Sequence, residues 1–180
     1  MRTTLCGTRM VSRAAAIAYA AHAGVFRADG TPYVEHPHQV AATLARAGFG
    51  PSEIAAGWLH DVVEDSEWTL DSLAKEGFPA AVVKGVDAVT KRAGEDPIDA
   101  VIRAALDEVG LPVKLSDNGH NSLPSQRVAL PLKKRFDGDI SYAVRRSILL
   151  SALYCSPTAT PLNAEAKAHV EQMFAMRGPR

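Results

Sequence analysis

Trp58-Leu59-His60-Asp61-Val62-Val63-Glu64-Asp65 is the stretch on which the reading of this chain turns. On a helix, residues four apart share a face. That sets His60 beneath Glu64 and Asp61 beneath Asp65, with four ionisable side chains on one stripe. Ala55, Ala56, Leu59, Val62 and Val63 supply apolar surface around the stripe, so the segment has the two faces of an amphipathic helix. Read alone, it serves either as a solvated polar face or as a metal site. A histidine beside its own aspartate is the less usual feature in the first case.

Outward from this segment the apolar period stays helical. A helix is predicted over 8–24, with Val11, Ala14, Ala15, Ala18 and Ala21 on one face and Gly24 at its end. Residues Arg27 to Pro32 form a loop around an Asp-Gly turn signal. His36-Pro37 opens a second helix, with proline suited to the first helical position, running to about Ala47. A third helix starts at Pro51 and runs through the quoted stretch to Val63 or just beyond. Further helices are predicted over 69–75, 79–90, 97–109 and 112–121. A long one follows between Gln126 and Tyr154, interrupted at Gly138, and a terminal one spans Asn163 to Met176. The pattern has no strand alternation, so the fold class expected is all-α. The compact domain is set at 8–155, with 156–180 as a linker and helical tail.

Composition narrows the function. The chain has 180 residues, 47% of them hydrophobic, enough for one domain with a sizeable core. Twenty basic residues balance twenty acidic ones. A neutral chain lacks the broad field that attracts nucleic acid or an anionic membrane, so neither is an expected partner, and an anionic ligand must be held by a local site. The apolar runs fall short of the roughly 20 residues of a membrane span, and Met1 to Leu5 lacks the apolar block of a secretion signal. Cys6 and Cys155 make no disulfide framework, which points to a reducing cytoplasm.

Two other segments bear on the central one. Tyr33-Val34-Glu35-His36-Pro37 places a histidine at a helix start, where a packed or helix-start role is the simpler reading. Val113-Lys114-Leu115-Ser116-Asp117-Asn118-Gly119-His120-Asn121 places an aspartate in an amphipathic run, where a cap or solvated residue is the simpler reading.

Together these segments resemble the HD-domain metal-dependent phosphohydrolases, and more narrowly the (p)ppGpp hydrolase branch found in RelA/SpoT proteins and small alarmone hydrolases. The resemblance is carried by Ala21 to Gly24, Arg27 to Pro37, Leu59 to Asp65, and Val113 to Asp117 with Asn121, in the family's order. It implies an all-helical HD-domain fold. It also implies a metal held by His36, His60, Asp61 and Asp117, a hard-to-borderline set of nitrogen and oxygen donors that suits Mn²⁺ without excluding other divalent ions. Glu64 and Asp65 match the family's acidic pair, which activates or orients the attacking water. Arg27 and Asn121 match residues that hold the nucleotide. The implied reaction removes the 3′-pyrophosphate from ppGpp or pppGpp. The chain resembles a stand-alone hydrolase, its length leaving no room for a synthetase domain.

The family pattern is not kept everywhere. Phe26 and Ala28 stand near or at positions where the family has glutamine and lysine, so another phosphorylated nucleotide such as NADPH is an alternative substrate, and a non-catalytic nucleotide-binding regulator is a third reading. Gly119, poor in a helix interior by about 1 kcal/mol relative to alanine, is expected to loosen the helix carrying Asp117. His22 and Tyr142 are read as packing residues, and His120 as no ligand.

Overall fold

The computed structural model describes residues 5–123 and 132–154. Nine helices follow in chain order within them: α1 (Gly7–Ala21), α2 (Glu35–Arg46), α3 (Pro51–Leu59), α4 (Val62–Asp65), α5 (Leu70–Glu76), α6 (Ala80–Val89), α7 (Pro97–Ala105), α8 (Gly110–Asn121) and α9 (Leu132–Tyr154). Extended pairing among the described residues amounts to one isolated bridge, Phe26 with Pro32. The fold is all-α, and none of the described helices is long and apolar enough to cross a membrane.

Local chemistry sets most helix ends. Pro51 and Pro97 occupy the first turns of α3 and α7, where a missing N–H costs nothing. The Asp96 carboxylate accepts the Ile98 N–H at 2.8 Å and caps α7. Two expectations fail. The helix from Pro51 does not run through to Val63; it stops at Leu59 and a separate turn of helix begins at Val62. The long helix α9 passes through Gly138 without interruption. The start expected at Gln126, the helix 163–176 and the tail 156–180 lie outside the described residues.

The core is built around α3, which packs on α1, α2, α6 and α8. Ala55, Ala56 and Leu59 meet Ala14, Ile17 and Ala18 of α1 and Val40, Ala41 and Leu44 of α2 in one buried cluster. Truncating a residue such as Leu59 to alanine there costs about 2–5 kcal/mol. Gly57 makes the α2–α3 crossing tight: a Cβ at this position would stand 2.8 Å from Leu44 Cδ1 and 3.3 Å from Ala41 Cα. A smaller cluster joins Val101 of α7, Leu111 of α8, and Ile148 and Leu149 of α9. Helix α8 belongs to both, since Val113 faces the first cluster and Leu111 the second. Its start is fixed by Asp107, whose Oδ1 accepts the N–H groups of Val109 and Gly110 at 3.0 and 2.8 Å. Its middle is tied to α2 by the Ser116 hydroxyl, which donates to the Val40 carbonyl at 3.2 Å. The segment bearing Asp117 is thus held from several sides.

Candidate metal centre

The break between α3 and α4 falls at His60 and Asp61. The His60 ring donates from Nδ1 to the Gly57 carbonyl at 2.8 Å. In a continuing helix that carbonyl would accept the Asp61 N–H. The ring takes its place, and the chain turns. Asp61 sits at φ −100°, ψ −8°, and its carbonyl receives the N–H groups of Glu64 and Asp65 at 3.2 and 3.0 Å. Consecutive residues on a straight helix point about 100° apart. At this corner they converge, with His60 Nε2 lying 3.2 Å from Asp61 Oδ2.

His36, at the start of α2, and Asp117, on α8, close on the same point. His36 Nε2 is 3.2 Å from His60 Nε2, 3.6 Å from Asp61 Oδ2 and 3.2 Å from Asp117 Oδ1; His60 Nε2 is 3.9 Å from Asp117 Oδ1. His36 and His60 are each 2% exposed and Asp117 7%. The donor set fits a divalent cation. Because His60 Nδ1 is held by a carbonyl, its Nε2 turns a lone pair inward, toward a second ring nitrogen and two carboxylate oxygens. Four acceptors with this separation repel unless a positive charge stands among them. Metal–ligand bonds of about 2.0–2.2 Å place neighbouring donors about 3.0–3.5 Å apart, close to what is seen. His36, His60 and Asp61 form a group able to hold a metal ion, and Asp117 approaches it through both rings.

The surrounding charges agree. Burial would raise the Asp117 carboxyl, but Lys114 and the His36 hydrogen bond hold it well below the usual carboxylate range; Lys114 Nζ donates to its Oδ2 at 2.9 Å. Burial likewise opposes ionisation of Asp61, and the charge and hydrogen bond of His60 overcome it, leaving the carboxyl below its ordinary value. Burial would lower His60, yet Asp61 and Asp117 push it up to about 9. Without a metal, a proton on His60 supplies the positive charge the cluster needs. The Tyr33 hydroxyl donates to Asp61 Oδ2 at 2.8 Å, and burial with the Asp61 charge raises its pKa. His120 Nδ1 stands 2.8 Å from His36 Nδ1. Burial, with the charges of His36 and Arg27, lowers His120 to about 4.

The two acids that follow differ. Glu64 is occupied on both oxygens by Lys91, whose backbone N–H and Nζ each donate at 2.8 Å. Asp65 is exposed as a residue, but partial desolvation of its carboxyl, with the Asp61 charge, raises its pKa. Arg27 and Asn121, from distant parts of the chain, meet beside the cluster: Arg27 Nη2 donates to Asn121 Oδ1 at 3.0 Å, and Asn121 Nδ2 donates to Asp117 Oδ1 at 2.5 Å. The buried Nη1 of Arg27 has no hydrogen-bond partner among the described residues. His22 is 3% exposed, packs its ring 4.9 Å from that of Tyr33, and has neither ring nitrogen paired among the described residues.

The structure thus brings His36, His60, Asp61 and Asp117 together and joins Arg27 and Asn121 to Asp117, while the Glu64 carboxylate is directed to Lys91. Sequence reasoning missed the groups that hold them: Tyr33 on Asp61, Lys114 on Asp117, Lys91 on Glu64 and His120 on His36. Lys114 carried a signal, being three residues before Asp117 on one helix. Lys91 carried none, since only the chain's return after α6 brings it to Glu64.

A family model described as HD domain matches residues 14–105, just over half of the chain. The chain belongs to the HD-domain family. This HD domain is 37% identical over 122 residues to a GTP pyrophosphokinase of Streptomyces coelicolor, a match covering 63% of the chain and 14% of that protein. It is 44% identical over 75 residues to a guanosine-3′,5′-bis(diphosphate) 3′-pyrophosphohydrolase of Haemophilus influenzae, covering 42% of the chain and 11% of that protein. Among solved structures it resembles a metazoan orthologue of SpoT that hydrolyses ppGpp, with a TM-score of 0.66 at 22% identity over 97% of this chain and 99% of that one. This last likeness concerns the fold.

Proposed function

We propose that this HD domain is a Mn²⁺-dependent hydrolase that removes the 3′-pyrophosphate from ppGpp or pppGpp, acting in the cytoplasm on the free nucleotide. The observation that carries the reading is the convergence of two ring nitrogens and two carboxylate oxygens, from His36, His60, Asp61 and Asp117, beside the exposed carboxylate of Asp65. The relatives' names supply the substrate class. Bound Mn²⁺ would lower the pKa of a water and polarise a phosphoryl oxygen. The chain supplies the rest. Phosphoryl transfer asks chiefly for positioning and charge neutralisation. Arg27, whose Nη1 has no partner among the described residues, and Asn121 stand where a nucleotide can be gripped at the edge of the cluster. Asp65 takes the proton that the attacking water loses as the new P–O bond forms, and hands it to the 3′-oxygen as the P–O3′ bond breaks. Glu64, clamped by Lys91, fixes the wall beside it.

Incubation of the purified protein with ppGpp and Mn²⁺ tests this. Release of pyrophosphate with formation of GDP is expected; a metal-loaded protein that releases none overturns it. Ala28, where the family carries a lysine, favours a second reading in which the site is the same and the substrate is another phosphorylated nucleotide such as NADPH. A nucleotide panel separates the two by which compound turns over fastest.

A further inference from the structure

We propose that His120 is the positioning residue that keeps His36 in the tautomer needed to bind metal, its Nδ1 accepting the Nδ1–H of His36. The inference rests on the reading of His36 as a ligand and adds a group with no place in the ligand set.

The two Nδ1 atoms stand 2.8 Å apart, a separation that ring nitrogens reach only with one proton shared between them. The ring centroids are 4.9 Å apart and the planes inclined by 31°. If the proton belongs to His36, its Nε2 lone pair faces His60, Asp61 and Asp117. If it belongs to His120, His36 carries its own proton on Nε2, which then donates to Asp117 Oδ1 at 3.2 Å. Only the first state can bind a cation through Nε2. Metal binding therefore requires the His36 proton to sit on Nδ1, and His120 is the acceptor that keeps it there.

The arrangement of α8 makes this pairing reproducible. Asp117, His120 and Asn121 are spaced by three and four residues, so they share one face of the helix. Asp117 reaches the cluster, His120 reaches the back of His36, and Asn121 bonds Asp117 Oδ1. One rigid element thus sets both a ligand and the group that orients another ligand. The second histidine is oriented differently. His60 is fixed by the Gly57 carbonyl, which can only accept and so imposes the metal-binding tautomer outright. A ligating imidazole generally passes its other N–H to a carbonyl, carboxylate or water; at His36 that role falls to a second imidazole, which can donate as well as accept.

The test is Mn²⁺ binding to the metal-free protein by isothermal titration calorimetry, comparing wild type with His120→Leu and His120→Asn after circular dichroism has shown each to be folded. Leucine keeps bulk but removes the acceptor. Asparagine can place its amide oxygen close to where Nδ1 stood. Affinity is expected to fall about 10–100-fold in His120→Leu and to stay within about threefold of wild type in His120→Asn. Wild-type affinity in His120→Leu, or equal losses in both variants, would overturn the inference; His120→Ala serves the same comparison where leucine prevents folding. If wild type itself binds no Mn²⁺, the ligand reading falls and takes this inference with it. If wild type binds Mn²⁺ without turning over ppGpp, the substrate reading fails while the His120 result still stands.

Discussion

The corner between α3 and α4 and the helix α5 lie only a few residues apart, and they are built on opposite terms. Helix α5 obeys each local rule. Thr69 accepts the Ser72 N–H at 3.1 Å while Ser72 Oγ accepts the Thr69 N–H at 2.8 Å, Asp71 sits in the first turn and Lys75 in the last, and Gly77 ends the helix at φ +99°. At the corner a helix is cut short without a glycine, and a buried histidine replaces a backbone hydrogen bond. Asp61 enters a crowd of acceptors. Local rules are kept where stability alone is at stake and set aside where side chains from distant segments must meet.

That contrast can be broken most forcefully at the corner. Asp61→Ala should take metal binding and turnover below detection together, as read by calorimetry and by pyrophosphate release. Asp65→Asn should leave Mn²⁺ affinity unchanged and lower kcat by about 10²–10⁴-fold, the range for a lost general base. Equal metal loss in the two variants would erase the distinction between binding and proton transfer. The pH dependence sharpens the same point. His60 is raised to about 9, so its contribution to the stability of the metal-free fold is complete below its ordinary value and is lost as pH rises through 9. Metal must displace that proton, so apparent Mn²⁺ affinity should climb by about tenfold per pH unit between 7 and 9. Melting of the metal-free protein and metal titration across this range should therefore move in opposite directions. The smallest effect belongs to α5, where Thr69→Ala should cost about 1 kcal/mol in urea unfolding and leave kcat and KM as they are.

Much of this was legible in the sequence. The apolar period marks nearly every helix, because each must turn one face to a shared core. Residue type alone leaves His36 and Asp117 with simpler roles; it is the resemblance to the HD-domain phosphohydrolases that groups them with His60 and Asp61. The central stretch departs in part from its periodic pattern. Stacking four residues apart presumed an unbroken helix, whereas His60 and Asp61 come together because the helix ends at them. A side chain displacing a backbone bond leaves no periodic trace. Gly119, expected to loosen the helix, does not interrupt it. Helix α8 continues through it to Asn121, and a Cβ there would stand 3.4 Å from Arg146 Nη1. That is an ordinary contact with the far end of a flexible side chain, so crowding does not explain the glycine. The partners Lys91 and His120 depend on how distant helices cross, which no local pattern encodes.

Tyr33 joins two parts of the molecule that would otherwise be separate. Its N–H donates to the Val25 carbonyl at 2.9 Å, as the Arg27 N–H does to the Thr31 carbonyl at the same distance, so the loop displaying Arg27 is a short closed ribbon. Its hydroxyl, at the other end of the same residue, grips Asp61. One residue thus moors the outer ribbon to the inner carboxylate, and the two keep a fixed distance from each other through a single side chain.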